Sequence, residues 1–382
     1  MNILVVPPND LLRHPIPNRL FHLFSRLADR HTVNLLAYPG HPLAKQSKMR
    51  DASIREITFK PIPSRNLSLY YFLNYGMMHS SLERFIDEMD IVVHANILPS
   101  RIVTSMCSKK SIPSIYDYVD HFPESAASYY KSSLMNHLVI AFVTKITKEN
   151  FSRSTAGVTP THGLKAILEK LNDTKPIFVI PNGFDESKFK PYPRQQARDR
   201  LGLSSKDRLV LFFGSWDTWF DQEAMLRLTR TTSCKLVVTG TSHSSNARRS
   251  LDSLRARTKN LIFLGNISDD LVPIVVNSCD LVFAPYRMMT KNLAVPVKIL
   301  ESLGCAVPVV TTAIPEFRRW FGDLLLYYRS EGEAEDAIRK AFANNDELKS
   351  QIASHREQLV NQFSWSNLAN DYEAKLKQIT NH

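Results

Sequence analysis

Cysteine is scarce in this chain. The four cysteines, Cys107, Cys234, Cys279 and Cys305, stand at least 26 residues apart, form no CxxC pair and fall in otherwise apolar or helical stretches. That spacing excludes a disulfide-stapled scaffold and a zinc ribbon, and reads as reduced, partly buried thiols in a cytoplasmic protein. Long hydrophobic runs are missing too. The longest is the six residues from Leu138 to Val143, against the ~18 to 20 that a membrane-crossing helix needs. Only 12 glycines and 21 prolines occur among 382 residues, which excludes collagen and low-complexity disorder. Basic residues come as pairs (Lys109-Lys110, Arg248-Arg249, Arg318-Arg319) and never as a run of five, so a polybasic nucleic-acid arm is absent. No His, Cys or carboxylate spacing suits zinc or iron. The opening MNILVVPPND has neither a basic lead-in nor a small-residue cleavage site, and reads as a strand entering a turn instead of a secretion signal.

What the chain does contain is size, positive charge and rhythm. At ~150 residues per domain, its length suggests two or three domains. The 48 basic and 37 acidic residues leave a net charge of +11, which favours anionic partners such as phosphorylated small molecules or an anionic membrane face. Short β-branched runs alternate with helical stretches: NILVV, a helix around Arg19 to Arg30, TVNLLAY, DIVVHA, PSIYD. Leu20, Leu23, Phe24 and Leu27 recur at helical spacing and mark a buried face. The rhythm restarts after Pro193 with RLVLFFG, CKLVVTG, NLIFLGN, DLVFAPY and AVPVVTT. This is the pattern of βαβ units and parallel sheets. The chain is therefore α/β, with two doubly wound halves. The expected boundaries are an N-terminal domain over 1–183, a proline-rich linker over 184–193, a C-terminal domain over 194–360 and a closing helix over 361–382.

Four segments carry a family resemblance. IPNGFDESKFKP and AVPVKILESLGCAVPVVTT are the most specific, LFFGSWDTWFD opens the second half, and FSWSNLANDYEAKL closes the chain. Together they resemble the GT-B-fold glycosyltransferases, the large retaining group (family 4-like, group 1) that uses nucleotide sugars. The resemblance is strong from Asp173 onward and weaker before it. It implies two Rossmann-like domains facing a central cleft, with the last helix packing back on the N-terminal domain.

Within AVPVKILESLG, Pro296 and Val297 suit a helix entry, and Lys298 and Glu301 fall three apart on one face. A helix N-terminus with a lysine beside it is a diphosphate site; an ordinary solvated ion pair is the alternative. The resemblance gives Glu301 the ribose hydroxyls. Where relatives carry an earlier glutamate that touches the transferred sugar, this chain has Leu293. Gly214, ending an apolar strand, permits the tight path of a nucleotide-binding turn. The arginine and lysine of relatives are replaced there by Ser215, Trp216 and Asp221, so Arg287 or Lys291 is expected to supply phosphate contacts. Trp216 also has a plain packing reading.

In the first half, PSIYDYVDHFPE brings Asp117, Asp120 and His121 to the end of a strand, where catalytic groups collect. By resemblance, Asp117 stands where relatives often carry a histidine beside the donor sugar; helix capping is the alternative. The first turn, PPNDLLRHPIPNR, lacks the glycines of relatives, and its Asn9, Arg13, His14 and Arg19 are candidates for an anionic acceptor. His94, after another strand, joins them as a candidate or is a satisfied rim histidine. SLYYFLNYGMM and SYYKSSLMNHLVIAFVTKITK mix aromatics, leucine and lysine as a membrane-surface segment does, or as a packed core does. The expected activity is transfer of a sugar from a UDP- or GDP-linked donor to a glycan or lipid-linked acceptor, with retention. Neither metal nor other cofactor is expected, nucleic acid is not an expected partner, and contact with the inner face of a membrane is compatible. A nucleotide-sugar epimerase on the same fold and a non-catalytic anion-binding protein are the alternatives.

Overall fold

A computed structural model describes all residues except 46, 49, 51–52, 128–129, 131, 215, 217–219, 232, 241–244, 288–294 and 382. The chain divides into two compact units, Met1–Asn182 with Trp365–His382, and Gly183–Ser364.

The first unit runs β1 (Asn2–Val6), α1 (Arg19–Leu27), β2 (Thr32–Leu36), β3 (Arg55–Ile57), α2 (Leu67–Leu73) and α3 (Tyr75–Glu83). It continues through β4 (Ile91–His94), α4 (Leu98–Lys110), β5 (Ser114–Asp117), α5 (Phe122–Ala127) and α6 (Ser133–Arg153), then β6 (Ala156–Thr159), α7 (His162–Leu171) and β7 (Ile177–Val179). The second unit holds α8 (Arg194–Leu201), β8 (Leu209–Phe213), α9 (Gln222–Thr231), β9 (Lys235–Thr239), α10 (Ser245–Arg257), β10 (Leu261–Gly265), α11 (Val272–Ser278) and β11 (Leu281–Ala284). After these come α12 (Val297–Gly304), β12 (Val309–Thr312), α13 (Pro315–Phe321), β13 (Leu326–Tyr328), α14 (Glu331–Ala343), α15 (Asn345–Ser354) and α16 (Arg356–Phe363). Helix α17 (Trp365–Thr380) returns to the first unit.

Seven strands in the order β3-β2-β1-β4-β5-β6-β7 form the first sheet and six in the order β10-β9-β8-β11-β12-β13 the second. Every neighbouring pair is parallel. Parallel strands need helical crossovers that cover both faces, which is why β4, β6 and β8 are buried along their whole length, β8 as an unbroken apolar run. The chain reverses its direction of travel across the sheet between β1 and β4 and again between β8 and β11. Such switch points open crevices at the carboxyl ends of strands.

Asn18 caps α1 by accepting from the Phe21 N–H, and the expected Leu20, Leu23, Phe24 and Leu27 form its buried face. α17 lies against α1. The His22 ring stacks on Trp365 at 4.8 Å, and Phe24 meets Tyr372 edge-on at 5.5 Å. Glu373 accepts from Arg30 at 2.8 Å and faces His31 at 3.1 Å. The closing helix thus completes the first unit.

Residues 184–193, expected to be a linker, are packed into the second unit. Phe184 and Phe189 are buried in its core, and the Phe184 N–H donates to the Phe363 carbonyl at 2.9 Å. Asn277 accepts from the Tyr192 N–H and donates to the Lys190 carbonyl. Gly304 has no room for a side chain, because a Cβ would lie 2.7 Å from the Phe184 ring. All four cysteines are buried thiols outside any disulfide. Among the described residues, no helix is long and apolar enough to cross a membrane and no cluster could hold a metal ion.

Candidate functional site

The second unit brings several expected donor-site residues together at the carboxyl ends of β8 and β9. Gly214 follows β8 at φ +101° and Gly240 follows β9 at φ +113°, backbone that side chains disfavour. The two turns pack directly on each other. A Cβ on Gly240 would fall 2.1 Å from the Gly214 carbonyl oxygen, and one on Gly214 would fall 3.2 Å from Lys298 Nζ. Backbone hydrogen bonds fix the pair: the Gly214 N–H donates to Thr239 O at 3.1 Å and the Gly240 N–H to Gly265 O at 2.8 Å.

Helix α12 starts at Val297 behind Pro296, with no side chain capping it. The Ile299 N–H donates to the Pro296 carbonyl at 3.1 Å, and the N–H groups of Val297 and Lys298, which precede any acceptor of the helix, add positive character at its start. The Lys298 ammonium sits among rings, 4.3 Å from the Phe220 centroid and 4.6 Å from that of Phe212. Cation–π attraction of ~0.5 to 2 kcal/mol supports it there. Burial pushes Lys298 down to about 7, with the charge of Glu301 opposing. Burial likewise pushes Glu301 up to about 8, with Lys298 opposing. Both side chains remain half-buried, open enough for a ligand to reach. Tyr286, absent from the expected set, adds a buried hydroxyl with no hydrogen-bond partner among the described residues, its pKa raised by burial and further by the charge of Glu301.

Other donor candidates sit differently. Trp216 is only 2% exposed and packs edge-on to Phe212 at 5.2 Å, so its ring is core and offers no face to a ligand. Arg287 is exposed and lines a pocket of about 260 Å³ with Tyr286, Asp221, Arg227, Thr312 and Tyr328. Ser215, Lys291 and Leu293 lie outside the described residues.

In the first unit, Asp117 and Arg19 do meet, but as structure. Asp117 is fully buried at the end of β5, with Oδ1 3.4 Å from Arg19 Nε and Oδ2 accepting from the Tyr372 hydroxyl at 3.1 Å. Arg19 also donates to the Ile180 and Pro181 carbonyls at 2.8 and 3.2 Å. Desolvation raises the Asp117 pKa while Arg19 opposes the rise. A carboxylate and a guanidinium enclosed in this way tie β5, α1, β7 and α17 together; neither is presented to an acceptor. His94 is corrected for the same reason. It is fully buried, stacks on Tyr116 at 4.9 Å and bonds Ser154 Oγ at 2.9 Å, and burial lowers it to about 3, so it is a neutral core ring.

Asp120 accepts from the His121 N–H at 2.7 Å, just before α5, and from the Ser125 hydroxyl within that helix. His121 stays half-buried beside it. Its Nδ1 is bonded to the Tyr118 hydroxyl at 2.8 Å, its Nε2 stands 4.0 Å from Glu124, and burial lowers its pKa.

The glycine-free first turn is held by side chains. The Pro7 carbonyl accepts from Tyr38 at 2.9 Å and Asn96 at 3.0 Å, and the Pro8 carbonyl from Tyr71 at 2.8 Å and Asn96 at 3.1 Å. Buried Asp10 accepts from the N–H groups of Leu12, Arg13 and Tyr38. Asn9 accepts from Asn18 at 3.0 Å, and Arg13 is drawn to Glu56 at 2.7 Å and to Asp10, which raises its pKa. His14 bonds within its own loop, to Ile16. Asn9, Arg13 and His14 thus share one turn, while Arg19 and His94 are buried beneath it.

Residues 17–188 match the family described as Glycosyltransferase Family 4, and residues 208–344 match Glycosyl transferases group 1. The chain belongs to the family 4-like GT-B glycosyltransferases. A relative in Salmonella typhimurium, lipopolysaccharide 1,2-N-acetylglucosaminetransferase, is 24% identical over 239 residues, which cover 58% of this chain and 61% of that protein. The match thus spans less than two thirds of that relative's length. Among solved structures, sucrose-phosphate synthase from Thermosynechococcus elongatus superposes with a TM-score of 0.81 at 14% identity, covering 99% of each chain. Anabaena HepE in complex with UDP-glucose gives 0.74 at 14% identity, covering 99% of this chain and 100% of its own. At such identities the likeness concerns the GT-B fold alone. Within this family, the Gly214 turn and the start of α12 are the parts that the expected donor motif and the observed geometry share.

Proposed function

We propose that this family member transfers a hexosyl group from a UDP- or GDP-linked sugar to a lipid-linked glycan acceptor, with retention of configuration and without metal or other cofactor. The setting is polysaccharide, glycolipid or lipopolysaccharide synthesis by a cytoplasmic protein that touches the membrane surface. The observation that carries this reading is the convergence of Gly214, the uncapped start of α12, Lys298 and Glu301. A diphosphate docked there would meet N–H dipoles and the Lys298 side chain, onto which its negative charge would draw a proton. As the bond from the anomeric carbon to the diphosphate oxygen breaks, negative charge grows on the leaving group. Groups already oriented in a low-dielectric site stabilise that charge more than they stabilise the ground state. Glu301 would accept from the ribose hydroxyls. In the first unit we assign His121 to the acceptor, with Asp120 accepting from its backbone N–H.

A thermal-shift panel of UDP, GDP, ADP and their sugars, on wild type and Glu301→Ala, tests the reading. We expect one nucleotide to stabilise wild type, with the shift lost in the variant. An NMR reading of the product anomer tests retention, and a rate unchanged by EDTA tests metal independence. Hydrolysis or isomerisation of the donor with no transfer would point to the epimerase. Nucleotide binding with no turnover toward any acceptor would point to a non-catalytic protein.

A further inference from the structure

Helix α6 is longer than the sheet it accompanies. Its 21 residues extend ~31 Å at 1.5 Å per residue, whereas β5 and β6, which it connects, have four residues each, or ~13 Å. Its buried residues, Val143, Ile146, Thr147, Asn150 and Phe151, start at its middle, and the helix packs against both α5 and α4; Asn150 donates to the Ile97 carbonyl at 3.0 Å. The opening turns follow β5 and α5 and so lie on the side of the strands' carboxyl ends. There the outward stripe is apolar: Leu134 is 71% exposed, Leu138 56% and Phe142 57%, with Met135 beside them at 42%. Spacing of four keeps the first three in one line. The same stripe continues as Lys145 and Lys148, both exposed and, among the described residues, in no ion pair. No acidic residue occurs in α6 before Glu149, which is paired with Arg101 at 3.2 Å.

A second patch lies on the other flank of α4. Tyr70 donates to the Pro39 carbonyl and Tyr71 to the Pro8 carbonyl, both at 2.8 Å, and this fixes α2 over the carboxyl ends of β1 and β2. On α2, Leu69 is 47% exposed and Phe72 70%. Exposed Lys60 and Arg65 precede the helix. Large apolar side chains grouped in this way are unusual on a water-facing surface.

We propose that these patches dock the first unit on an anionic bilayer surface, with Leu134, Leu138 and Phe142 entering the acyl boundary and Lys145 and Lys148 meeting headgroup phosphates. Leu69 and Phe72 of α2 form the second foothold. An isologous contact between two copies would bring the lysine-bearing stripes of both onto one interface, whereas anionic headgroups complement them. The inference deepens the reading above, in which the acceptor is lipid-linked, by naming the surface that meets the lipid.

The test is co-sedimentation of the full chain with phosphatidylglycerol/phosphatidylcholine vesicles and with phosphatidylcholine alone, at low and high salt. We expect binding to the anionic vesicles that salt weakens, and a loss of about tenfold or more in the double variant Leu138→Glu/Phe142→Glu. Lys145→Glu/Lys148→Glu should remove the preference for anionic lipid. Phe142→Trp should add fluorescence that shifts to the blue on binding and is quenched by brominated lipid. The nucleotide-induced thermal shift should be the same in every variant, which establishes folding; its absence in wild type would count against the donor reading and not against this surface. Equal vesicle binding by wild type and the double variants would overturn the proposal. So would a dimer in sedimentation velocity that dissociates in Leu138→Glu/Phe142→Glu, since a second copy would then cover the patch.

Discussion

Replacing Gly240 with alanine should damage the second unit more than any ordinary glycine substitution. The new Cβ would sit 2.1 Å from the Gly214 carbonyl oxygen, where a comfortable carbon–oxygen contact is ~3.3 Å or more. One of the two turns must retreat by about 1 Å. The φ of +113° adds its own strain, ~1 to 3 kcal/mol for a non-glycine residue, and overpacking adds a similar amount. We expect a loss of about 3 kcal/mol or more, a fall of ~6 to 12 °C for a unit of this size. Because the Gly214 turn, one side of this clash, faces Lys298, the nucleotide-induced thermal shift should also shrink. Gly202→Ala is the control: it shares a positive φ of +65° but has nothing within 4 Å of the added carbon, so strain alone predicts ~1 kcal/mol. Urea titration followed by tryptophan fluorescence suits both variants, since Trp216 and Trp320 lie in this unit. If Gly240→Ala proves no worse than Gly202→Ala, the close packing of the two turns is refuted.

Nucleotide affinity should fall as pH rises through about 7, the value to which burial lowers Lys298, because the diphosphate needs the protonated ammonium; calorimetry of Lys298→Met should show a smaller fall, leaving only the titration of Glu301, which burial raises to about 8. His94, lowered to about 3 by burial, binds a proton more readily in the unfolded chain, so stability should drop as pH falls from ~6.5 toward that value. His94→Gln should soften this acid loss in urea titrations at pH 4 to 6. Arg19→Met should destabilise the first unit by ~3 to 5 kcal/mol by leaving the Asp117 carboxylate buried without its partner, whereas Tyr372→Phe removes one hydrogen bond and should cost ~1 to 3 kcal/mol; equal losses in calorimetric melts would contradict the pairing.

Both sheets are legible in the sequence because parallel strands buried on two faces must be short apolar runs, and NILVV, DIVVHA, RLVLFFG and DLVFAPY have few other uses. The pairing of Gly214 with Lys298 is legible for a related reason: a glycine ending such a run and a proline opening a helix are both backbone signals. What sequence conceals is the partner of a buried charge. Asp117 reads as a reactive carboxylate at a strand end, yet its company is Arg19, 98 positions earlier, and Tyr372, 255 positions later. Such long-range pairs leave no local pattern. The same holds for His94, whose environment comes from Tyr116 and Ser154. The role of Gly240 had a signal in TG at the end of CKLVVTG, the same strand-then-glycine arrangement as at Gly214. The tyrosines that brace the first turn had one in the unusual density of LAYPGH and LYYF.

Because α17 belongs with the first unit while residues 183–364 form the second, the first unit is discontinuous in the chain. During synthesis its sheet can assemble early, but the surface of α1 that receives Trp365 and Tyr372 stays bare until the whole intervening unit has left the ribosome. Asp117 must wait equally long for its tyrosine. The second unit, one unbroken segment, has no such delay and can reach its final packing first, even though it is made later.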